Sequence, residues 1–333
     1  MTLRLLADIG GTNARFALQA PGGGFADLEV LPCCEHATIG AAMDGYLARA
    51  AARGVDTAGV RAAALAIANP VEGDAVAMTN HHWRFSIEAL RRERGLETLL
   101  VVNDFAALAM ALPHLGDEGR MRVGDGDHAS VPGRPIGLVG PGTGLGVSGI
   151  VRCNGRWMAL PGEGGHASFA PVSRQEIRIL EALWDELGQE EGHVSAERLL
   201  SGMGLEAIHR ALIGPLIGQP GGERLGAADI TARALDGSCA ACRATVDAFC
   251  AILGSVAGNV ALTLGATGGM YIGGGIVPRL GPLFNASGFR RRFEDKGRLR
   301  GYLAKIPTWV VTEPYPALRG VAALLDEHAA AAA

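Results

Sequence analysis

Lysine is scarce in this chain of 333 residues, which contains only Lys296 and Lys305. Neither lysine lies in a glycine-rich loop, and no glycine-rich loop ends in lysine followed by serine or threonine. The sequence therefore lacks the lysine with which P-loop proteins contact the phosphates of a nucleotide. Any phosphate group bound here must be held by backbone amides and a cation instead.

Net charge, cysteine pairs and long apolar runs are also limited. A net charge of -4, with 48% hydrophobic and 19% charged residues, is typical of a globular protein with no overall attraction for nucleic acid or anionic membranes. The single CxxC pair, Cys239 and Cys242, has no second pair to complete a zinc ribbon or a disulfide framework. The apolar run before Asp8 is too short for a signal peptide, and residues 136–151 are too few and too glycine-rich for a membrane span. We therefore predict a cytoplasmic protein with reduced thiols and a small-molecule partner.

Residues 3–18, LRLLADIGGTNARFAL, contain an apolar run, an aspartate, two glycines and a second apolar run. This pattern predicts two strands joined by a tight turn. The residues of the turn are Gly10, Gly11, Thr12 and Asn13. Glycine permits the positive φ with which successive N–H groups face one anion, and Asp8 at the strand end can hold a metal ion through water. The alternative is an ordinary Gly-Gly hairpin.

A second stretch, residues 135–151, repeats this design in PIGLVGPGTGLGVSGIV. Its Gly142-Thr143 lies 131 residues after Gly11-Thr12, which indicates internal duplication of one domain. The length of the chain also favours two domains that share a cleft. Residues 144–149 match GxGxxG, but an Asn154-Gly155 hairpin follows where a dinucleotide-binding fold needs a helix, so we exclude that fold.

Strands alternating with helices predict a mixed α/β sheet. The strand Thr98–Val102 runs directly into Asn103-Asp104 and an Ala/Leu-rich helix. The carboxyl end of a strand followed by a helix is the usual location of ligands in open α/β sheets. The alternative is that one of the two residues is only the N-cap of the helix.

Three later segments are candidates for binding, and each has a structural alternative. The loop 161–166 carries Glu163 and His166 among three glycines, which favours an irregular loop that presents both side chains to a ligand rather than a solvated connection. Ser195 begins a predicted helix with Glu197 in its first turn, where a carboxylate already stabilises the helix dipole. Gly273–Gly275 follow a short strand, where glycine permits close approach of a flat ligand. The alternative is that they only form a tight turn.

Two expectations concern secondary structure. Residues 116–135 show no periodicity and are predicted to be a surface loop or linker. Residues 229–265 are predicted to form two helices, the second from Val246 to Leu264 and deeply packed.

Six segments together resemble the bacterial glucokinase family: ADIGGTNARFAL, VVNDFAA, GPGTGLGV, GEGGHASFAP, GHVSAERLLSG and YIGGGIVP. They occur in the family's order over residues 4–325. The resemblance implies the α/β fold of the actin, hexokinase and Hsp70 ATPase superfamily, with two ribonuclease-H-like domains of mixed sheets flanked by helices and an active site in the cleft between them. It implies a small domain of residues 1–112 joined by the C-terminal helix 317–330, and a large domain of residues 113–316. The cysteine cluster of the related repressor and kinase group is absent, so we expect no structural zinc.

The resemblance also implies roles for individual residues. The sugar hydroxyls are bound by Asn103, Asp104, Glu163, His166 and Glu197, with Asp104 as the catalytic base. The nucleotide is bound by Asp8, Gly10, Gly11, Thr12, Asn13, Gly142, Thr143, Gly144, Gly273, Gly274 and Gly275. Asp8 holds Mg²⁺ through water. Asn69 departs from the smaller or sulfur-bearing residue that the family leads us to expect, in a loop without an assigned role.

The implied activity is ATP-dependent phosphorylation of D-glucose at the 6-hydroxyl, with Mg-ATP as donor, by a cytoplasmic homodimer that binds neither nucleic acid nor membrane. A kinase for fructose, mannose or an N-acetylhexosamine is the nearest alternative. A sugar-sensing protein of the same fold without catalysis, and an ATPase without a sugar acceptor, are alternatives of other classes.

Overall fold

The structure, a computed structural model, describes residues 3–20, 23–79, 81–124, 128–188, 192–214 and 223–332. Its contacts divide the chain into two units. The first comprises Met1–Leu115, Cys153–Pro161 and Glu313–Ala333, and the second comprises Gly116–Arg152 and Gly162–Thr312. Relative to the predicted division, residues 153–161 group with the first unit, where the Arg156 guanidinium donates to the carbonyl of Ala330 at 2.8 Å.

The first unit is built on a five-stranded sheet in the order β3-β2-β1-β4-β7. Its elements in chain order are β1 (Arg4–Ile9), β2 (Asn13–Gln19), β3 (Phe25–Pro32), α1 (Ile39–Ala52), β4 (Ala62–Ile67), β5 (Ala75–Ala77), β6 (Arg84–Ser86), α2 (Ile87–Glu93), β7 (Thr98–Asn103), α3 (Asp104–Ala111) and α12 (Pro316–Ala332). Strand β1 pairs antiparallel with β2 and parallel with β4, and β4 pairs parallel with β7. The strands β5 and β6 form a separate hairpin.

Both faces of this first sheet are covered, which explains the nearly continuous apolar runs of β1 and β4. On one face Phe16 stacks on Tyr46 of α1, with the ring centroids 5.2 Å apart. On the other face Leu318 of α12 packs in a cluster with Leu6. Gly320 lies so close to the backbone carbonyl of Ala107 that a Cβ would overlap it, so only glycine lets α12 approach α3 here.

The second unit contains five neighbouring strands of a six-stranded sheet, in the order β10-β9-β12-β13-β8. The elements from β8 to β13 are β8 (Arg120–Val123), β9 (Ile136–Pro141), β10 (Leu145–Cys153), β11 (Arg156–Gly162), α4 (Arg174–Leu187), α5 (Gly202–Ile213), α6 (Ala227–Leu235), α7 (Ala240–Leu264), β12 (Gly269–Ile272), α8 (Val277–Leu280), α9 (Pro282–Asn285), α10 (Phe289–Glu294), α11 (Arg300–Ala304) and β13 (Thr308–Val311). Strand β9 pairs antiparallel with β10 and parallel with β12, and β12 pairs parallel with β13. The strands β10-β9-β12-β13 thus repeat the arrangement β2-β1-β4-β7. The predicted duplication is confirmed.

Helix α7 is the central helix of the second unit and packs against α5, α6 and α10. It is the one described helix that is long and apolar enough to span a membrane, with a mean hydropathy of 1.5 over 18 residues, yet 67% of that window is buried inside the protein. Burial of this kind is typical of a core helix. Its apolar composition is therefore explained by packing.

Three elements differ from the predictions. Residues 116–135, predicted to be a loop, contain β8, which pairs antiparallel with β13. The strand has only four residues, too few to show an alternation of apolar and polar side chains. Helix α7 begins at Ala240 rather than Val246, because the sulfur of Cys239 caps its first turn. Ala196–Arg198, predicted to open a helix, form a single 3₁₀ turn before Ser201 caps α5.

Candidate active site

The first glycine turn lies between β1 and β2 in the first unit. Ile9 pairs with Ala14, and the Gly10 N–H donates to the Asn13 carbonyl at 2.9 Å. The Thr12 carbonyl accepts the Cys33 N–H at 2.8 Å. Among the described residues, the N–H groups of Gly11 and Thr12 donate to no protein atom. The predicted turn is therefore present and leaves two amide donors available to an anion.

Asp8 stands one residue before this turn, directly opposite Arg15 on β2. The Arg15 Nη1 lies 3.1 Å from Oδ2 of Asp8. Burial raises the pKa of Asp8, and the charge and hydrogen bond of Arg15 oppose that rise. Oδ1 accepts no hydrogen bond from the described residues. One carboxylate with an available oxygen fits Mg²⁺, which usually binds one or two carboxylates, water and substrate phosphates.

The described residues contain no group of three or more His, Cys, Asp or Glu side chains suited to a metal. A cation shared between one carboxylate and a phosphate needs fewer protein ligands than that, and the role of Asp8 in holding Mg²⁺ stays a prediction.

Asn103 and Asp104 stand where β7 passes into α3. Asn103 is the N-cap, because its Oδ1 accepts the N–H groups of Phe105 at 2.9 Å and Ala106 at 3.1 Å. Its Nδ2 donates to Oδ1 of Asp104 at 3.1 Å and to the Asn69 carbonyl at 3.4 Å. Asn103 therefore caps α3, and its amide also orients Asp104. The predicted contact of Asn103 with a sugar hydroxyl stays a prediction.

The Asp104 carboxylate is held through one oxygen only. Its Oδ1 accepts the Phe105 N–H at 2.8 Å in addition to the Asn103 amide, whereas Oδ2 accepts no hydrogen bond from the described residues. Burial, followed by the negative charge of Asp8, raises the pKa of Asp104 to about 6. A carboxylate with such a pKa and one open oxygen is suited to accept a proton near neutral pH.

Strand register explains why Asp8 influences Asp104. Parallel pairing aligns Ile9 with Ile67 and Ile67 with Asn103, so that β1 and β7 end at the same edge of the sheet. Neighbouring strands are about 4.8 Å apart, which puts the backbones of these two ends roughly 10 Å apart. The first unit thus brings the glycine turn, Asp8 and Asp104 together at one edge.

Asn69, the departure from the family pattern, has a structural role in the same unit. Its Oδ1 accepts the Thr79 N–H at 3.0 Å and the Thr79 hydroxyl, and its backbone carbonyl faces the Asn103 amide. Asn69 therefore ties the loop after β4 to the segment before β6, beside the residue that orients Asp104.

The second glycine turn lies between β9 and β10 in the second unit. Pro141 pairs with Leu145, and the Gly142 N–H donates to the Gly144 carbonyl at 2.8 Å. In the described chain the N–H groups of Thr143 and Gly144 have no protein acceptor. This turn offers amide donors in the same way as the first.

Glu197 supports the second turn directly. Its Oε2 accepts the Leu145 N–H at 2.9 Å, and a Cβ on Gly144 would overlap that same oxygen. The predicted alternative, a carboxylate that stabilises a helix dipole, is incorrect in detail because the carboxylate bonds to a distant strand. Glu197 is a structural residue of the turn, and its other oxygen accepts no bond from the described residues.

Gly273–Gly275 follow β12 at the same edge as the second turn. The Gly273 N–H donates to the Val139 carbonyl at 2.8 Å. Gly274 has a φ of +77°, and a Cβ there would overlap the Pro141 carbonyl, so glycine is required. A cavity of about 670 Å³ opens beside this edge. It is lined by residues that include Gly142, Thr143, Thr231, Leu235, Gly275 and Arg279.

The lining of this cavity is formed by two motif segments and by small side chains of α6, Ala227, Ala228 and Ala232. Small apolar side chains leave room for a flat ring, and N–H groups without a protein acceptor are suited to bind an anion. The α6 residues and Arg279 are not among the predicted site residues. An alanine-rich helix carries no chemical signature, so no signal in the sequence pointed to them.

His166 ends the 3₁₀ turn Gly164–His166, and Glu163 is its N-cap residue. Residues three apart in such a turn project on the same side. The His166 Nε2 is 4.0 Å from Oε2 of Glu163, and the two side chains are 59% and 70% exposed. The Ala196 N–H donates to the Ala167 carbonyl at 2.9 Å. This pairing brings the loop next to the segment that carries Glu197.

A second cavity, of about 550 Å³, lies between this segment, α4 and α5, with His166, Ser195 and Glu197 in its lining. The second unit therefore groups Glu163, His166 and Glu197 together, as it groups the second turn with Gly273–Gly275. The sugar and nucleotide contacts of all these residues stay predictions.

Comparison with known proteins agrees with the geometry. The family model for glucokinase matches residues 5–328. A glucokinase from Chromobacterium violaceum is 54% identical over 327 residues, which cover 98% of this chain and 90% of that protein. The bifunctional protein glk of Paraburkholderia xenovorans is 50% identical over 329 residues, 98% of this chain and 49% of that longer protein. A crystal structure of glucokinase from an Antarctic psychrotroph matches with a TM-score of 0.86 and 35% identity, covering 98% of this chain and 99% of the other.

This chain belongs to the glucokinase family. The resemblance identified from the six sequence segments is confirmed, and so is the predicted fold class, a mixed α/β fold of the type found in glucokinase structures.

Proposed function

We propose that this protein transfers the γ-phosphoryl group of ATP to the 6-hydroxyl of D-glucose. The observation that carries the proposal is the pair formed by the first glycine turn and Asp104, at one sheet edge in a chain of the glucokinase family. A site for phosphate and a carboxylate with a pKa of about 6 are the two parts that phosphoryl transfer to an alcohol requires.

In the proposed reaction Asp104 is the general base. Oδ2 accepts the proton of the 6-hydroxyl while the sugar oxygen forms a bond to the γ-phosphorus and the bond from that phosphorus to the bridging oxygen of ADP breaks. The Asn103 amide and the Phe105 N–H hold Oδ1, so that the free oxygen keeps its direction. Correct placement of the base contributes about 10²–10⁴-fold to a rate of this kind.

The phosphates would be bound by backbone amides. Gly11 and Thr12 in one turn, and Thr143 and Gly144 in the other, offer N–H groups without protein acceptors. Mg²⁺, held through water by Asp8, would supply the positive charge that neutralises the transferring group. This arrangement replaces the lysine that the glycine-rich loops lack.

The remaining hydroxyls of the sugar would be bound by Asn103, Glu163, His166 and Glu197. Side chains that hydrogen-bond these hydroxyls would favour a sugar over an analogue that lacks them. The adenosine would occupy the cavity of about 670 Å³ beside Gly275. We further propose that the two units act as domains in one reaction, in a cytoplasmic homodimer that requires neither nucleic acid nor membrane.

The test is a coupled assay of ADP release with glucose, fructose, mannose, an N-acetylhexosamine and no sugar. We expect release that depends on glucose and is greatest with it, and a product phosphorylated at the 6-position by phosphorus NMR. A higher kcat/KM with another hexose would mean that this hexose, and not glucose, is the preferred substrate. Equal turnover without sugar would indicate an ATPase, and sugar binding without turnover would indicate a sensor.

A further inference from the structure

The sequence motif that the proposed reaction does not use is the CxxC pair in the second unit. Cys239 is the N-cap of α7, a helix of 25 residues, and its sulfur accepts the N–H of Cys242 at 3.3 Å. Cys239 is partly exposed, whereas Cys242 is fully buried. The pair thus combines one thiol that a reagent can reach with a second thiol behind it.

The spacing of the two cysteines allows a disulfide. Residues three apart in helical geometry have Cα atoms about 5 Å apart, and disulfides join Cα atoms about 4.4–6.8 Å apart. The bond from the Cys242 N–H to the Cys239 sulfur already holds the two residues in one turn. Little backbone movement is needed to join them.

The surroundings favour the thiolate on the exposed cysteine. Burial opposes ionisation of Cys239, but the N–H and thiol of Cys242, with the nearby charge of Arg233, outweigh it and lower the pKa of Cys239. Burial first, and then the neighbouring Cys239, raise the pKa of Cys242 to about 12. A low-pKa attacking thiol followed by a buried partner is the arrangement of disulfide-exchange proteins, which also place the attacking thiol at a helix N-terminus.

The other four cysteines lack this combination. Cys33 and Cys34 are adjacent across a trans peptide, so their Cα atoms are about 3.8 Å apart, too close for an unstrained disulfide. Cys250 is buried, and burial raises its pKa to about 12. Cys153 is exposed and has no cysteine next to it in sequence. These residues serve as internal controls.

We propose that Cys239 and Cys242 form a redox-active dithiol that low-molecular-weight disulfides, such as oxidised glutathione, convert to an intrachain disulfide. The Cys239 thiolate attacks one sulfur of the small disulfide and releases one glutathione, which takes up a proton. The Cys242 sulfur then loses its proton, attacks the Cys239 sulfur and releases the second glutathione as its thiol. Two protein thiols are oxidised, and one disulfide is reduced to two thiols.

The experiment incubates the folded full-length protein with oxidised glutathione at pH 7, blocks free thiols and maps the cysteines by mass spectrometry. We expect an intrachain disulfide between Cys239 and Cys242, and at most glutathione adducts on Cys34 and Cys153. In Cys242→Ser we expect a stable glutathione adduct on Cys239, formed about tenfold faster than on Cys34, because Cys239 lies at the N-terminus of α7.

Cys239→Ser is the matched control, because serine preserves the N-cap and therefore the fold of α7. It should form no disulfide at this site, and its circular dichroism should equal that of the unmodified protein. A Cys239 that stays reduced in the wild-type protein would overturn the proposal. So would a glutathione adduct on Cys239 that persists equally in the wild type and in Cys242→Ser, because Cys242 would then not act as the second thiol.

Discussion

The two glycine turns occupy equivalent places in the two sheets but obtain their acidic side chains differently. Ile9 and Ala14 are the last paired residues before the first turn, and the pair before them is Asp8 and Arg15. At the second turn the equivalent pair is Gly140 and Gly146, which have no side chain and therefore no charge. The carboxylate at the second turn comes from Glu197, 52 residues after Leu145, whose N–H it accepts.

The two carboxylates therefore have different surroundings. The carboxylate of Asp8 shares a sheet edge with Asp104, and the repulsion between them raises the pKa of Asp104 above the effect of burial alone. The carboxylate of Glu197 instead accepts a backbone N–H that the turn would otherwise leave without a partner. Both copies of the turn thus have N–H groups without protein acceptors, and a carboxyl group with a pKa raised to about 6 lies beside the first copy.

The largest effect should follow from removing the base at the first turn. Asp104→Asn keeps an oxygen that can accept the Phe105 N–H, so we expect sugar affinity to be largely preserved. Because the proton of the 6-hydroxyl then has no acceptor, kcat should fall by about 10²–10⁴-fold. Steady-state kinetics with glucose binding by calorimetry would measure both quantities. Turnover within a few fold of the wild type would exclude Asp104 as the base.

The second effect tests whether Asp8 acts on Asp104 as well as on the metal. In the wild type we expect kcat/KM to fall as the pH drops below about 6, since the base must be deprotonated. Asp8→Asn removes the negative charge that raises the pKa of Asp104, so the acidic limb should move to lower pH. Loss of the charged contact to the metal's water should lower kcat/KM for Mg·ATP by about 10–100-fold.

A pH–rate profile at several Mg²⁺ concentrations measures both expectations for Asp8. Arg15→Lys serves as a control, because it retains the positive charge opposite Asp8. An acidic limb that stays in place in Asp8→Asn would show that burial alone sets the pKa of Asp104. An unchanged Mg²⁺ dependence would count against the metal role.

The comparison also shows which parts of the site can be predicted from sequence. The strand, the acid and the turn around Asp8 are adjacent in the chain, as are β7, Asp104 and α3, so local patterns were sufficient. Arg15 could have been found from the hairpin, because pairing Ile9 with Ala14 puts Arg15 opposite Asp8. The role of Glu197 at the second turn could not, because it joins segments far apart in sequence.

Some elements of the fold could not be predicted from the sequence either. The strand β8 has four residues and pairs with β13 almost 190 residues later, so neither length nor neighbours revealed it. The start of α7 was placed six residues too late because cysteine is not among the usual N-cap residues. The strand predicted over Thr98–Val102 was recovered to within one residue, as Thr98–Asn103.

The third effect breaks the second turn selectively. In Gly144→Ala the new Cβ would overlap Oε2 of Glu197, so the carboxylate must leave the Leu145 N–H. A lost charged hydrogen bond and an unpaired amide should lower the free energy of unfolding by about 2–4 kcal/mol. Gly142→Ala is the matched control, because its Cβ would meet nothing within 4 Å. Equal urea midpoints for the two variants would refute the structural role of Glu197.

The smallest effect concerns the stability cost of Asp104. A carboxyl whose pKa is raised in the folded protein stabilises it fully below the unfolded value of 3.8, and that contribution is lost as the pH rises through about 6. Asp104→Asn has no charge to bury, so at pH 8 it should be more stable than the wild type by about 1–3 kcal/mol. The difference should shrink towards zero below pH 4 in urea unfolding. A difference that did not depend on pH would mean that the folded protein does not raise the pKa of Asp104. The two turns would then differ only in the hydrogen bonds and ion pairs of their carboxylates.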